Sequence, residues 1–182
     1  MKIEKFVLTA FQQNTRVVVC EESARAICVD PGAPSADLNA FIRDSGLTLE
    51  AIILTHGHLD HVGGTAALHK EFPDAEILIH KDDEDLYYAL PHQPLLMGIG
   101  REQLAALGLE FEAPPKIMRN LEHGEVLDVG NLRFEVRHCP GHTRGHVVLV
   151  EAESKSVMVG DCLFEGSIGR TDLPGGNYDQ LI

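Results

Sequence analysis

The chain has 182 residues, 44% of them hydrophobic, which is enough to build a folded domain with a core of its own and excludes a disordered segment. It carries 28 acidic residues against 15 Lys and Arg, a formal net charge of -13, and this argues against a nucleic-acid partner gripped through phosphates. No apolar run approaches the roughly 20 residues needed to cross a bilayer, so no membrane partner is expected.

The opening residues Met1-Lys2-Ile3-Glu4-Lys5 alternate like a strand and carry no cationic-then-apolar leader. Cys20, Cys28, Cys139 and Cys162 form no CxxC pair, so reduced thiols and a cytoplasmic setting are expected. Stretches over 15–20 and 25–30 flank the polar turn Glu21-Glu22-Ser23 and predict a hairpin. It ends at Asp30-Pro31-Gly32, where ordinary turn chemistry accounts for the aspartate and assigns it no catalytic part. Ser35 is placed to cap a short helix with Leu38, Phe41 and Ile42 on its apolar face and Gly46 as its stop. A buried strand over 51–55, a helix near 65–72 and a strand over 76–80 follow. The segment 81–115 is broken by Pro91, Pro94, Gly98, Gly100 and Gly108 and reads as short helices and loops covering one face. Strands are expected over 117–118, 126–129, 132–137, 147–151 and 157–159, and a last helix begins at Tyr178, capped by Asn177. Strands at both ends with helices between predict one α/β domain over 1–182, two sheets covered by helices.

The chemistry concentrates in Thr55-His56-Gly57-His58-Leu59-Asp60-His61, where three imidazoles and a carboxylate occupy six consecutive positions, 56 to 61. These are the ligand types that Zn2+, Fe2+ and Mn2+ share. The motif follows Ala51-Ile52-Ile53-Leu54 and so sits where a buried strand meets a loop. Two further candidates lie just past predicted strands: His142, in Cys139-Pro140-Gly141-His142-Thr143, and Asp161, after Val157-Met158-Val159-Gly160. Ligands at successive strand ends converge on one edge of a sandwich, where loops position them and a rigid core holds them. His146 reads as a packing or hydrogen-bonding residue that could orient a ligand. His69, His80, His92, His123 and His138 read as ordinary satisfied side chains. Cys162 should point away from whatever Asp161 faces, and Arg170 should pair with Asp172.

His56-Gly57-His58-Leu59-Asp60-His61, with the later Pro140-Gly141-His142 and Gly160-Asp161, resembles the metallo-β-lactamase superfamily. Gly160-Asp161-Cys162-Leu163-Phe164 and Ser167-Ile168-Gly169-Arg170-Thr171-Asp172-Leu173-Pro174 are similar to its hydroxyacylglutathione hydrolase (glyoxalase II) branch, in short single-domain form. The resemblance implies a four-layer αββα sandwich of two mixed β-sheets flanked by helices. It also implies that His56, His58 and His142 hold a first metal, Asp60 and His61 a second, and Asp161 bridges both, with Asp60 and Asp161 as the catalytic carboxylates. The implied cofactor is Zn2+, one or two ions per chain, with Fe2+ or Mn2+ as alternatives. The implied reaction is hydrolysis of a small-molecule thioester, glutathione-derived in particular, by a hydroxide bridging the two metals.

The family pattern adds one more histidine to the second metal from a later Pro-Gly-His, whereas all ten histidines here lie at or before His146. The expectation is therefore a chain truncated at its C-terminus, without the last strand and helix of the fold, holding its first metal well and its second weakly. Two other outcomes are open at this level. One is an oxidoreductase resembling the persulfide dioxygenases, with one Fe2+ on His56, His142 and Asp161. The other is a metal-binding fragment without turnover.

Overall fold

The structure, a computed structural model, describes residues 1–96 and 98–182. Six strands form the first sheet in chain order: β1 (Lys2–Leu8), β2 (Gln13–Cys20), β3 (Arg25–Val29), β4 (Thr48–Ile53), β5 (Glu76–His80) and β6 (Arg119–Leu121). The first three are antiparallel neighbours and β3 through β6 are parallel. Parallel neighbours cannot be joined by a tight turn, so helical crossovers must connect them. These are α1 (Ala36–Asp44), then α2 (Leu59–Val62) with α3 (Thr65–Glu71), then α4 (Glu84–Tyr88), α5 (Gln93–Leu96) and α6 (Arg101–Ala106). The second sheet has the order β10-β9-β8-β7, from β7 (Val126–Val129), β8 (Leu132–His138), β9 (Val147–Glu151) and β10 (Ser156–Met158). A short α7 (Tyr178–Leu181) follows, capped by Asn177 as expected.

Alternation along the strands divides the core in two. Val18, Ile27, Val29, Ile53 and Leu78 face Phe134, Val136, Val147 and Leu149 between the sheets. Their neighbours Val17, Val19, Cys28, Ile52 and Ile77 pack instead on Leu38, Ile42, Leu59, Val62 and Leu68 of the helices. The parallel strands β3, β4 and β5 are thus largely buried on both faces, as parallel strands require. Ser35 caps α1 by accepting the Leu38 N–H at 3.2 Å, and Gly46 turns left-handed at φ +63° to end it.

Several details differ from the sequence expectation. Only the first sheet mixes strand directions; the second is antiparallel throughout, because β7–β8 and β9–β10 are short hairpins. On the outer face of the second sheet exposed Arg133 and Arg137 alternate with buried Phe134 and Val136. β6 lies two residues later than expected, because the Ile117 N–H bonds the Tyr88 hydroxyl at 2.9 Å and pairing begins only with Met118 N–H to Ile77 O. No described helix is long and apolar enough to cross a membrane, and all four cysteines are free.

The carboxyl ends of β3, β4, β5, β8 and β10 share one rim of this sandwich. That rigid edge depends on the inter-sheet core. Phe134→Ala, at a fully buried side chain, is expected to lower the unfolding free energy by about 3–5 kcal/mol in urea titration. The exposed Val157→Ser should change it by less than about 0.5 kcal/mol. Equal midpoints for the two variants would contradict this core.

Candidate metal centre

The turn Asp30-Pro31-Gly32 runs beneath the histidine-rich loop. Asp30 sits at φ +53°, a left-handed conformation that costs a non-glycine residue about 1–2 kcal/mol. Its Oδ1 accepts the Thr55 N–H at 2.7 Å, and its Oδ2 accepts the Thr55 hydroxyl at 2.7 Å and lies 3.0 Å from His61 Nδ1. A carboxylate only accepts, so His61 carries a proton on Nδ1 and turns Nε2 inward. That nitrogen is 3.1 Å from Asp161 Oδ1 and 3.7 Å from Asp60 Oδ2. The Thr55 hydroxyl hydrogen is already committed to Asp30, so Thr55 Oγ1 accepts from His56 Nδ1 at 3.1 Å. His56 is thereby left with its Nε2 lone pair facing the centre. Gly32 passes so close that a Cβ there would lie 2.0 Å from the Asp60 carbonyl.

The facing loops come from the second sheet. His142 Nδ1 lies 2.7 Å from the Arg170 carbonyl, which only accepts, so its Nε2 is the lone-pair nitrogen. That atom is 2.9 Å from His58 Nδ1 and 3.7 Å from Asp161 Oδ2. One ring nitrogen from each of His56, His58 and His142 falls within 4.8 Å of the others. Asp161 follows Gly160, at φ +49°, where a Cβ would come within 2.6 Å of both His146 Nε2 and Thr55 Oγ1. His146 accepts the Asp161 N–H at 3.0 Å and stacks on the His56 ring, centroids 5.1 Å apart. It therefore positions the Asp161 backbone. The structure thus brings together all six residues singled out in the sequence: His56, His58, Asp60, His61, His142 and Asp161.

Two buried side chains tie the loops to each other. Asp83 accepts the Gly57 N–H at 2.9 Å, the Thr143 hydroxyl at 2.7 Å and the Gly145 N–H at 2.6 Å. It joins the loop of His56 and His58 to that of His142. Gln93 donates to the Gly57 and Leu86 carbonyls at 2.8 and 2.9 Å and accepts the Leu59 N–H at 2.8 Å. Sequence reasoning passed over both, and passed over Asp30 as a turn residue. The only local signal was an acid or amide just past a strand or beside a proline.

Burial sets the electrostatics of the rings. Desolvation, then the neighbouring His142 and His61, brings His58 down to about 3. Desolvation, then His142, does the same to His146, and His56 is pushed well below its ordinary value by desolvation and then His61. These rings are neutral at pH 7, the form that offers a lone pair to a cation. His61 moves the other way: desolvation opposes its charge, but hydrogen bonds to Asp161 and Asp30 more than offset it. Desolvation also works against the Asp161 carboxylate, yet His61 brings it down to about 2. Asp60 is raised, chiefly by desolvation.

A cation fits this set. His56 Nε2 is buried without a hydrogen-bond partner, an arrangement that costs about 1–3 kcal/mol unless something binds there. The lone pair of His142 Nε2 and the His58 Nδ1 that meets it at 2.9 Å lie in the same group, and imidazole with carboxylate suits Zn2+, Fe2+ or Mn2+. Asp30 with His56 and His61 is also closely grouped, but Asp30 already receives three hydrogen bonds. A third group is formed by His80, Asp82 and His138, none of them a residue of the first two groups. Its rings stack at 4.1 Å and 11°, and parallel rings do not aim both nitrogens at one ion. The depression beside His61, lined by Gln13, Asn14, Arg16 and Phe164 among others, offers no further histidine or cysteine among the described residues.

A cleft of about 330 Å³ opens over the centre, with His58, Asp60, His142 and Asp161 at its floor. Arg170 and Asp172 pair through two contacts of 2.8 Å at its side, as the sequence suggested. A cavity of the same volume lies between the sheets at the amino ends of β4 and β5, among Glu50, Glu76, Arg119 and Asp128, and holds no comparable donor cluster.

The family model of the metallo-beta-lactamase superfamily matches residues 8–182. Hydroxyacylglutathione hydrolase GloC of Haemophilus influenzae is 37% identical over 182 residues, covering 100% of this chain and 81% of that protein. The crystal structure of TTHA1623 in a di-iron-bound form superposes with a TM-score of 0.82 at 34% identity, over 98% of this chain and 81% of the other. The BLEG-1 B3 metallo-beta-lactamase does so with a TM-score of 0.81 at 29% identity, over 99% and 81%. With its two-sheet sandwich and its cluster of imidazoles and carboxylates on one rim, the chain belongs to the metallo-beta-lactamase superfamily.

Proposed function

We propose that this protein is a metal-dependent thioester hydrolase of the hydroxyacylglutathione hydrolase kind. The observation that carries the reading is the partnerless, buried Nε2 of His56 grouped with the ring nitrogens of His58 and His142 beside an open cleft. In this reading His56, His58 and His142 hold one divalent cation, Asp60 and His61 hold a second, and Asp161 lies between them. Zinc is the proposed ion, with iron or manganese as alternatives. Cations bound there supply Lewis acidity, polarising the thioester carbonyl and lowering the pKa of water towards neutrality.

The chain's own residues do the rest. Asp60 lines the cleft; in this reading it takes the proton of the attacking water and returns it to the departing thiolate. Water and thioester thus become carboxylic acid and thiol. Asp161, fixed through its N–H by His146, keeps its carboxylate between His61 and His142. The GloC relative supports this reaction class. A mononuclear dioxygenase arrangement would leave Asp60 and His61 without a part. The 3.1 Å approach of His61 to Asp161 favours the hydrolase. The proposed partner is a small-molecule thioester, glutathione-derived in particular, encountered in the cytoplasm, with no nucleic acid involved.

Metal-loaded protein is expected to hydrolyse S-lactoylglutathione, to lose that activity to a chelator and to regain it with Zn2+, Fe2+ or Mn2+. Asp60→Ala should lower kcat by about 10²–10⁴-fold. No thioester turnover, with ferrous-dependent oxygen uptake on glutathione persulfide, would move the assignment to the oxidoreductase. Asp30→Asn tests the positioning network separately: metal affinity, read by competition with a chromophoric chelator, should fall about 10–100-fold with the fold retained. Unchanged affinity would remove Asp30 from the account.

A further inference from the structure

Beyond the metal ligands, the cleft over the centre is walled mostly by carbon. Phe11 from the β1–β2 turn, Leu86 from α4, Leu96 from α5, and Leu173 with Pro174 from the loop past Asp161 meet around it. Phe11 remains 47% exposed and Leu96 72% exposed. Large apolar side chains gathered at the mouth of a site and left unburied by folding mark a surface that a ligand covers. The polar side chains of the same wall are already engaged. The Gln93 amide is bonded to Gly57, Leu59 and Leu86, and Arg170 is held at two points by Asp172. Among the described residues lining the cleft, the one cationic side chain is Arg170, already paired with Asp172.

A charged thiol carrier laid against this wall would lose hydration without gaining a partner, and so would the hydroxyl of a short hydroxyacyl group. An aliphatic chain has no such cost and gains from leaving water. We propose that the cleft receives the acyl group of the thioester as an apolar chain of medium length, with the thiol carrier directed out to solvent. The inference rests on the thioester hydrolase reading and specifies the substrate class of that site. It departs from a preference for small hydroxyacyl groups.

The test uses the metal-loaded full chain and one neutral thiol, N-acetylcysteamine, carrying acetyl, butanoyl, hexanoyl, octanoyl or lactoyl groups. Expected is a kcat/KM that rises about three- to fourfold per methylene up to hexanoyl, with hexanoyl well ahead of lactoyl. Phe11→Ser and Leu96→Ser, both at exposed positions and so compatible with folding, should each lower the octanoyl rate about tenfold and flatten the gradient. A flat series, a lactoyl preference, or a gradient untouched by both variants would overturn the inference. If no thioester is turned over, the hydrolase reading fails, and calorimetry of butanoate, hexanoate and octanoate binding judges the cleft by itself. Affinity rising with chain length supports the apolar wall, and equal affinities overturn it.

Discussion

One carboxylate, that of Asp30, receives the amide of Thr55, the hydroxyl of Thr55 and the ring of His61. Through the first two it fixes the end of β4 and, by way of Thr55 Oγ1, the protonated nitrogen of His56. Through the third it fixes the orientation of the His61 ring. Both rings are then obliged to turn their other nitrogen towards the centre. A strained left-handed backbone at Asp30 is what places the carboxylate there, and such strain persists only where surrounding structure over-determines it. Here the Thr15 hydroxyl and the Gln13 amide bond the Asp30 carbonyl at 2.6 and 3.0 Å and hold the turn from the other side.

The rest of the fold supplies the rim on which that network stands. The inter-sheet core brings the ends of β8 and β10 opposite the end of β4, so that His142 and Asp161 face the histidine-rich loop. Asp83 then fastens the two loops by three hydrogen bonds across as many as 62 residues of chain. A buried, fully satisfied polar group of this kind makes a junction rigid, since breaking any member leaves a desolvated charge without a partner. Rigidity matters for a centre assembled from separate loops, because small misplacements of ligands weaken both metal binding and chemistry.

Much of this was legible in the sequence, and the parts that were not share a cause. The density of ligand types at 56 to 61 is local information, as are the Ser35 cap, the Gly46 stop and the alternation of the strands. His142 and Asp161 were legible because each follows a strand whose end is predictable. Asp30, Asp83 and Gln93 were not, because all but one of the partners of their side chains lie 25 to 62 residues away and their surroundings imitate other things. Asp-Pro-Gly looks like any turn, and Lys81-Asp82-Asp83-Glu84-Asp85 looks like solvated surface. The four residues of α2 are too few to show a helical period. The direction of strands in the second sheet depends on connections that composition does not report.

Metal binding at this rim depends on which nitrogen each ring presents. Anomalous scattering from crystals of the zinc-loaded protein would locate the ions directly. One zinc is expected about 2.0–2.1 Å from His56 Nε2, His58 Nδ1 and His142 Nε2, with Asp161 between it and any ion on Asp60 and His61. Zinc bound through His56 Nδ1, or seated away from these three rings, would contradict the ordering role given to Asp30 and the centre built on it.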